Sequence, residues 1–94
     1  MDIDKLHTLI QKQKYSELAF ELSKEIFDSN ELKDIHKDEL LIYKHALFIC
    51  PALKHQIKAD ASKEEIELWS KNFIKRNINL VLHSEITYPS EFES

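Results

Sequence analysis

A chain of 94 residues with 43% hydrophobic and 32% charged side chains is long enough for one domain with a modest core, and too hydrophobic to stay unfolded throughout. It contains no glycine, where average usage is about 7%, so Walker loops, glycine-rich dinucleotide motifs and nucleophile elbows are all excluded. The net charge of −4 works against a general grip on nucleic acid, because phosphate binding needs a clustered excess of lysine and arginine.

The composition also indicates the fold class. Without glycine, turns must be made by asparagine, aspartate, serine and the two prolines, which favours short connections between helices over hairpins. The sequence therefore predicts an all-α fold, a compact bundle of four to five short helices. Residues 1–84 are expected to form a single helical domain and residues 85–94 a flexible acidic tail.

The first two helices are predicted by apolar residues spaced three and four apart. Ile3, Leu6 and Ile10 share one face of a short helix at the start of the chain. In the second helix Ser16 is the predicted N-terminal cap. Its apolar stripe consists of Tyr15, Leu18, Ala19, Leu22 and Ile26.

Residues 9–27, LIQKQKYSELAFELSKEIF, resemble one helical hairpin of the tetratricopeptide repeat, with Tyr15 at the turn and apolar positions on both arms. The segment departs from that family in three ways. No glycine precedes the turn, Leu18 stands where a small alanine is usual, and no second copy follows at the period of about 34 residues. The resemblance covers a single hairpin and assigns no family.

The third helix is predicted from about Glu31 towards Cys50, with a second start at Asp38 as the alternative. Pro51 is expected to break or kink this helix, because proline has no amide hydrogen and disfavours α geometry in the residue before it. Residues 51–59 would then form a short fourth helix.

The last helix has the strongest local signal, since Ser62 and Glu65 have the spacing of a capping box. Residues 77–83 alternate well enough to be a strand, but no second strand candidate exists to pair with them, so helix is predicted to about His83. One side of this helix carries the apolar residues Ile66, Trp69, Phe73 and Leu80, and another carries the charged residues Glu67, Lys71 and Lys75.

The run LLIYKHALFICPAL at 40–53 points to a binding surface. Fourteen helical residues span about 21 Å, less than the roughly 30 Å of a hydrocarbon layer, so the run predicts no membrane span. Only Lys44 and His45 favour water, and the rest of the run is apolar on every side. The remaining helices either cover all of it or leave one face for a second copy or a partner protein.

The predicted partner-binding residues are Tyr43, Leu47 and Phe48 on this helix, and Tyr88 and Phe92 in the tail. A second, acidic edge of Glu17, Glu21 and Glu25 on the second helix is either a solvated face or a surface for a basic partner.

No catalytic, metal or cofactor site is predicted. The five histidines match no zinc spacing and are read as surface residues, and Cys50 is read as a buried core thiol. The lone cysteine, together with a first segment that lacks the pattern of a signal peptide, predicts a cytoplasmic protein.

The predicted function is that of a small intracellular protein-binding module. Inhibitors, immunity proteins, antitoxins, chaperones and adaptors of this size work stoichiometrically rather than by catalysis. The alternative is a helical nucleic-acid-binding domain that uses Lys71, Lys75 and Arg76 as phosphate contacts.

Overall fold

The computed structural model describes residues 1–35 and 38–83, and all regular structure in those ranges is helical. It contains four α-helices and one short 3-10 helix: α1 (Ile3–Gln11), α2 (Tyr15–Phe27), the 3-10 helix Asn30–Leu32, α3 (Glu39–Gln56) and α4 (Lys63–Leu82). The predicted all-α bundle is confirmed, and residues 77–82 continue α4 instead of forming a strand. The predicted tail at 85–94 lies outside the described residues.

Three of the four α-helices begin at side-chain caps, and so does the 3-10 helix. Asp2 accepts a hydrogen bond from the Lys5 amide at the start of α1. The predicted capping box opens α4, where Ser62 Oγ accepts from the Glu65 amide at 3.2 Å and Glu65 Oε1 accepts from the Ser62 amide at 3.3 Å. The prediction that Ser16 caps α2 is wrong. The helix begins at Tyr15, so Ser16 lies within it, and no side chain caps its start.

The turn between α1 and α2 needs a residue with positive φ, and in this chain without glycine Gln13 provides it, at φ 56°. The Lys14 amide donates to the Leu9 carbonyl at 2.9 Å and the Gln13 amide donates to the Ile10 carbonyl at 3.0 Å. This is the Schellman arrangement, in which glycine is the usual residue at the left-handed position. The tight turn therefore forms, but at a conformational cost that glycine would not carry.

Helix α3 begins where the alternative prediction placed its start. Its first residue is Glu39 rather than Glu31, and Asp38 is its N-terminal cap. Asp38 Oδ1 accepts a hydrogen bond from the Leu41 amide at 2.7 Å.

The separate helix predicted at 51–59 is also wrong, because α3 continues through Pro51 to Gln56. Pro51 is exposed, and it lacks the amide hydrogen that would have bonded to the Leu47 carbonyl one turn earlier. Leu53, two residues further on, is fully buried and holds the last turns of the helix against the core.

Helix α2 is the centre of the bundle, since it packs against α1, α3 and α4, and most extensively against α3. Four of its predicted apolar residues are buried, namely Leu18, Ala19, Leu22 and Ile26, and Tyr15 is half-buried. Full burial of a leucine or isoleucine contributes about 2 kcal/mol relative to exposure, so this stripe is a main source of stability. On α4, Ile66 and Phe73 are buried as predicted, whereas Trp69 and Leu80 are half-buried.

Candidate functional site

Helix α3 is covered on one side only. His45, Ala46, Ile49 and Leu53 are buried. By contrast, Leu40 and Tyr43 expose 53% and 52% of their surface. Large apolar side chains left this open on neighbouring turns of one helix are the feature that marks interaction surfaces.

A groove of about 560 Å³ runs beside this uncovered side, between α2 and α3. Its volume is within the range of roughly 300–1,000 Å³ that is usual for binding clefts. The buried residues Leu9 and Ala46 line it, and so do Tyr43, Leu47 and Phe20. The remaining lining residues are Lys5, Ser16, Glu17, Glu21 and Cys50.

A smaller depression continues the groove past Phe20 and Tyr43 towards Glu39 and Leu40. Phe20 is 39% exposed, and the Lys24 ammonium lies 5.1 Å from the centroid of its ring. A cation at this distance is attracted electrostatically to the face of the ring. The uncovered surface therefore extends along α3 from its first turn to Cys50.

The rim of the groove is charged, and its charges are paired. Glu21 accepts hydrogen bonds from Lys5 and from Lys24, each at 2.9 Å. Partial burial on its own would raise the pKa of Glu21, but the hydrogen bonds from Lys24 and Lys5 outweigh it and hold the pKa below its usual value. The hydrogen bond to Glu21 in turn raises the pKa of Lys5, so both groups stay ionised near neutral pH.

The predicted acidic edge is thus matched by cations of the same chain. Besides the two lysines on Glu21, Lys14 Nζ lies 4.0 Å from Glu17 Oε1. The amino group of Met1 lies 3.8 Å from Glu25 Oε1. These contacts leave little uncompensated negative charge on α2 for a basic partner.

The structure brings together two of the predicted partner-binding residues and separates the third. Tyr43 and Leu47 are one helical turn apart and both line the groove. Phe48 is five positions from Tyr43, which places it about 140° around the helix axis. Its ring lies 5.8 Å from that of His45, on the other flank of α3. Tyr88 and Phe92 lie outside the described residues.

His45 differs from its predicted place. The sequence predicts a polar, surface-facing side chain, yet His45 is fully buried. Its Nε2 lies 3.0 Å from Asn77 Oδ1, and the Asn77 amide nitrogen donates to the Phe73 carbonyl at 2.9 Å. Because that second bond fixes the orientation of the amide, Nε2–H is the donor to Asn77.

The surroundings of His45 keep it neutral. The Phe27 ring stands edge-on to it, with centroids 5.4 Å apart. Burial lowers the pKa of His45 to about 4, and the hydrogen bond to Asn77 opposes this only in part. The signal for burial was in the sequence, since His45 stands four positions before Ile49 and eight before Leu53, on the same helical face.

Cys50 differs from its predicted place in the core, because it is only half-buried and lines the groove. Its sulfur lies 3.9 Å from the hydroxyl of Ser16 on α2. The thiol therefore lines the groove beside Ser16, where the two helices meet.

The basic residues proposed for nucleic acid, Lys71, Lys75 and Arg76, are exposed on α4, away from the groove. Lys71 is paired with Glu67 at 3.2 Å. Across residues 1–35 and 38–83, no cluster of three or more histidine, cysteine or acidic side chains is placed to hold a metal ion. No helix in the same ranges combines the length and the apolar character needed to cross a membrane.

Comparisons with protein families, with curated proteins and with solved structures found no match to this chain.

Proposed function

We propose that this protein is a cytoplasmic protein-binding module whose docking site is the groove between α2 and α3. One observation supports the proposal: exposed Tyr43 and Phe20 and half-buried Leu47 line the same apolar groove. Burial of aromatic side chains supplies much of the energy at protein interfaces, and a concave apolar centre with a charged rim is their usual organisation.

The groove is suited to an apolar ridge, such as one face of a helix. Its long direction follows α3 from Leu40 to Cys50. Ten residues of helix advance about 15 Å, which accommodates side chains from three successive turns of a docked helix. Occupancy of this kind would serve an inhibitor, an immunity or antitoxin-like protein, or a chaperone or adaptor.

The proposal is one of binding without chemistry. A catalytic acid or base works best when its pKa is near the working pH. The pKa of Glu21 is lowered and that of Lys5 is raised, so the pKa values of both groups in this ion pair are shifted further from neutral pH. These groups are suited to a fixed electrostatic rim rather than to proton exchange.

The test compares two substitutions matched in exposure. Tyr43→Glu puts a charge into the groove, and Leu68→Glu puts the same charge on α4, where Leu68 is 65% exposed and is not part of the groove. Both sites are on the surface, so we expect melting temperatures close to that of the unchanged protein. Calorimetric titration with a purified, stoichiometric partner should lose at least about 30-fold in affinity for Tyr43→Glu, equivalent to about 2 kcal/mol, and little for Leu68→Glu.

Equal binding by both variants would contradict the proposal. So would binding that disappears with Lys75→Glu and falls steeply with salt, since that pattern belongs to phosphate contacts on α4. Docking in an apolar groove should depend only weakly on salt.

A further inference from the structure

The uncovered side of α3 has the spacing of a helix that pairs with another helix. Leu40, Tyr43, Leu47, Cys50 and Lys54 follow one another at intervals of three, four, three and four residues. This is the spacing of the inward positions of a coiled coil, and it places all five in one narrow stripe along the helix. The first four are apolar and the fifth is a cation at the end of the stripe.

The two ends of this stripe carry opposite charges. Glu39 lies beside Leu40 in the first turn, eight positions before Leu47, and Lys54 lies seven positions after it. Both side chains are exposed, and neither forms an ion pair with any other residue within the described ranges. The charges are thus available, and they are nearly equidistant from the middle of the stripe.

Because its ends have opposite charges, the stripe is complementary to the same stripe of a second copy that runs in the opposite direction. We infer that the occupant of the groove is a second copy of this chain, with the two α3 helices antiparallel and Leu47 of each near a two-fold axis. The inference rests on the proposed docking function of the groove and names its partner. In this register Glu39 of each copy faces Lys54 of the other, so the dimer contains the same ion pair twice.

The shape of the surface fits the same pairing. Tyr43 and Leu40, the most exposed apolar residues of the stripe, are at one end. Leu47 and Cys50, further along the stripe, are half-buried and line the groove. An antiparallel pair sets Tyr43 of one copy opposite Cys50 of the second, so each copy inserts one ring and receives one.

The helix dipoles also favour this orientation. Helix α3 begins with Asp38 and Glu39 and ends with Lys54 and His55 in its last turn. A parallel pair would place like charges side by side at both ends, whereas an antiparallel pair places the acidic start of each helix beside the basic end of the other.

The test is sedimentation equilibrium of the full chain with charge exchange across the proposed pair. The unchanged protein should dimerise. Glu39→Lys and Lys54→Glu should each weaken the dimer about tenfold, because each introduces two like-charge contacts per dimer. The double variant E39K/K54E should recover most of the lost affinity, since it restores both pairs with their signs reversed. Lys75→Glu on α4, a charge change of the same size as Lys54→Glu, should have little effect.

The outcomes separate this inference from the function on which it rests. A chain that stays monomeric up to about 1 mM overturns the dimer; the groove would then remain open to a different protein, and the Tyr43→Glu titration would decide the docking function by itself. A dimer whose affinity ignores both charge variants, or that the double variant does not rescue, overturns the antiparallel register. A dimer that also ignores Tyr43→Glu forms through another surface and overturns this inference; the Tyr43→Glu titration with a different protein then decides the docking function.

Discussion

The two apolar sides of α3 differ in burial. One side buries His45, Ile49 and Leu53 in the core, and the other leaves Leu40 and Tyr43 more than half exposed. Hydropathy alone would assign a histidine to the surface and a leucine to the core. The difference shows that the neighbours of a helix, rather than the polarity of each residue, decide which of its sides is covered.

The largest expected change in stability compares two leucines on the same helix. Leu53→Ala removes a fully buried side chain and should lower the free energy of unfolding by about 3 kcal/mol. Leu40→Ala, the matched control on the uncovered side, should cost less than about 1 kcal/mol. Urea denaturation of the two variants, at a protein concentration low enough to keep the chain monomeric, measures both values. Similar losses would mean that the two sides of α3 are not distinguished by burial.

A second test concerns His45 on the buried side. Its pKa is about 4 in the folded protein and 6.5 in the unfolded chain, so between these values the unfolded chain binds the proton more readily. Stability should therefore be unaffected by this group above pH 6.5, and should fall by about 3 kcal/mol as the pH drops towards 4.

The control for this test is His45→Gln, which keeps a donor for Asn77 Oδ1 and removes the titration. The difference in unfolding free energy between the two proteins should depend on pH within that window and be flat above it. A difference that stays constant from pH 7 to pH 4 would show that His45 is protonated without unfolding.

The smallest effect concerns the turn that places Leu9 in the lining of the groove. Gln13→Gly should raise the free energy of unfolding by up to about 1 kcal/mol, because glycine adopts positive φ without a steric penalty. Gln11→Gly, two positions earlier and at the last residue of α1, should lower it by less than about 1 kcal/mol. Thermal denaturation of the pair checks the sign of each. Destabilisation by both would indicate that the Gln13 side chain has a role of its own.

Much of the fold was readable from local chemistry. The cap at Ser62 and the alternative start at Asp38 were predicted because a short polar side chain before an apolar run satisfies free amides. The α2 stripe was predicted because its spacing is regular. The predicted break at Pro51 is wrong because the missing amide hydrogen of proline is only a local effect. The burial of Leu53, two residues later, favours continuation of the helix.

The candidate site was only half predictable. Tyr43 and Leu47 share a turn-to-turn spacing that sequence could pair, but Phe48 was grouped with them by hydrophobicity and not by angle. Cys50 lines the groove beside Ser16 on α2, and no sequence pattern encodes a contact between residues 34 positions apart. The ion pairs that neutralise the acidic edge depend on the same tertiary packing.

The most direct measurement of the central claim is a dilution series of two-dimensional amide NMR spectra of the full chain. Signals along the groove, from Ser16 to Phe20 and from Leu40 to Cys50, should shift together as the protein dilutes, while those around Leu68 on α4 stay fixed. The residues that shift should fit one dissociation constant, and it should match the value from sedimentation. Shifts centred on α4 with an unchanged groove would contradict the account.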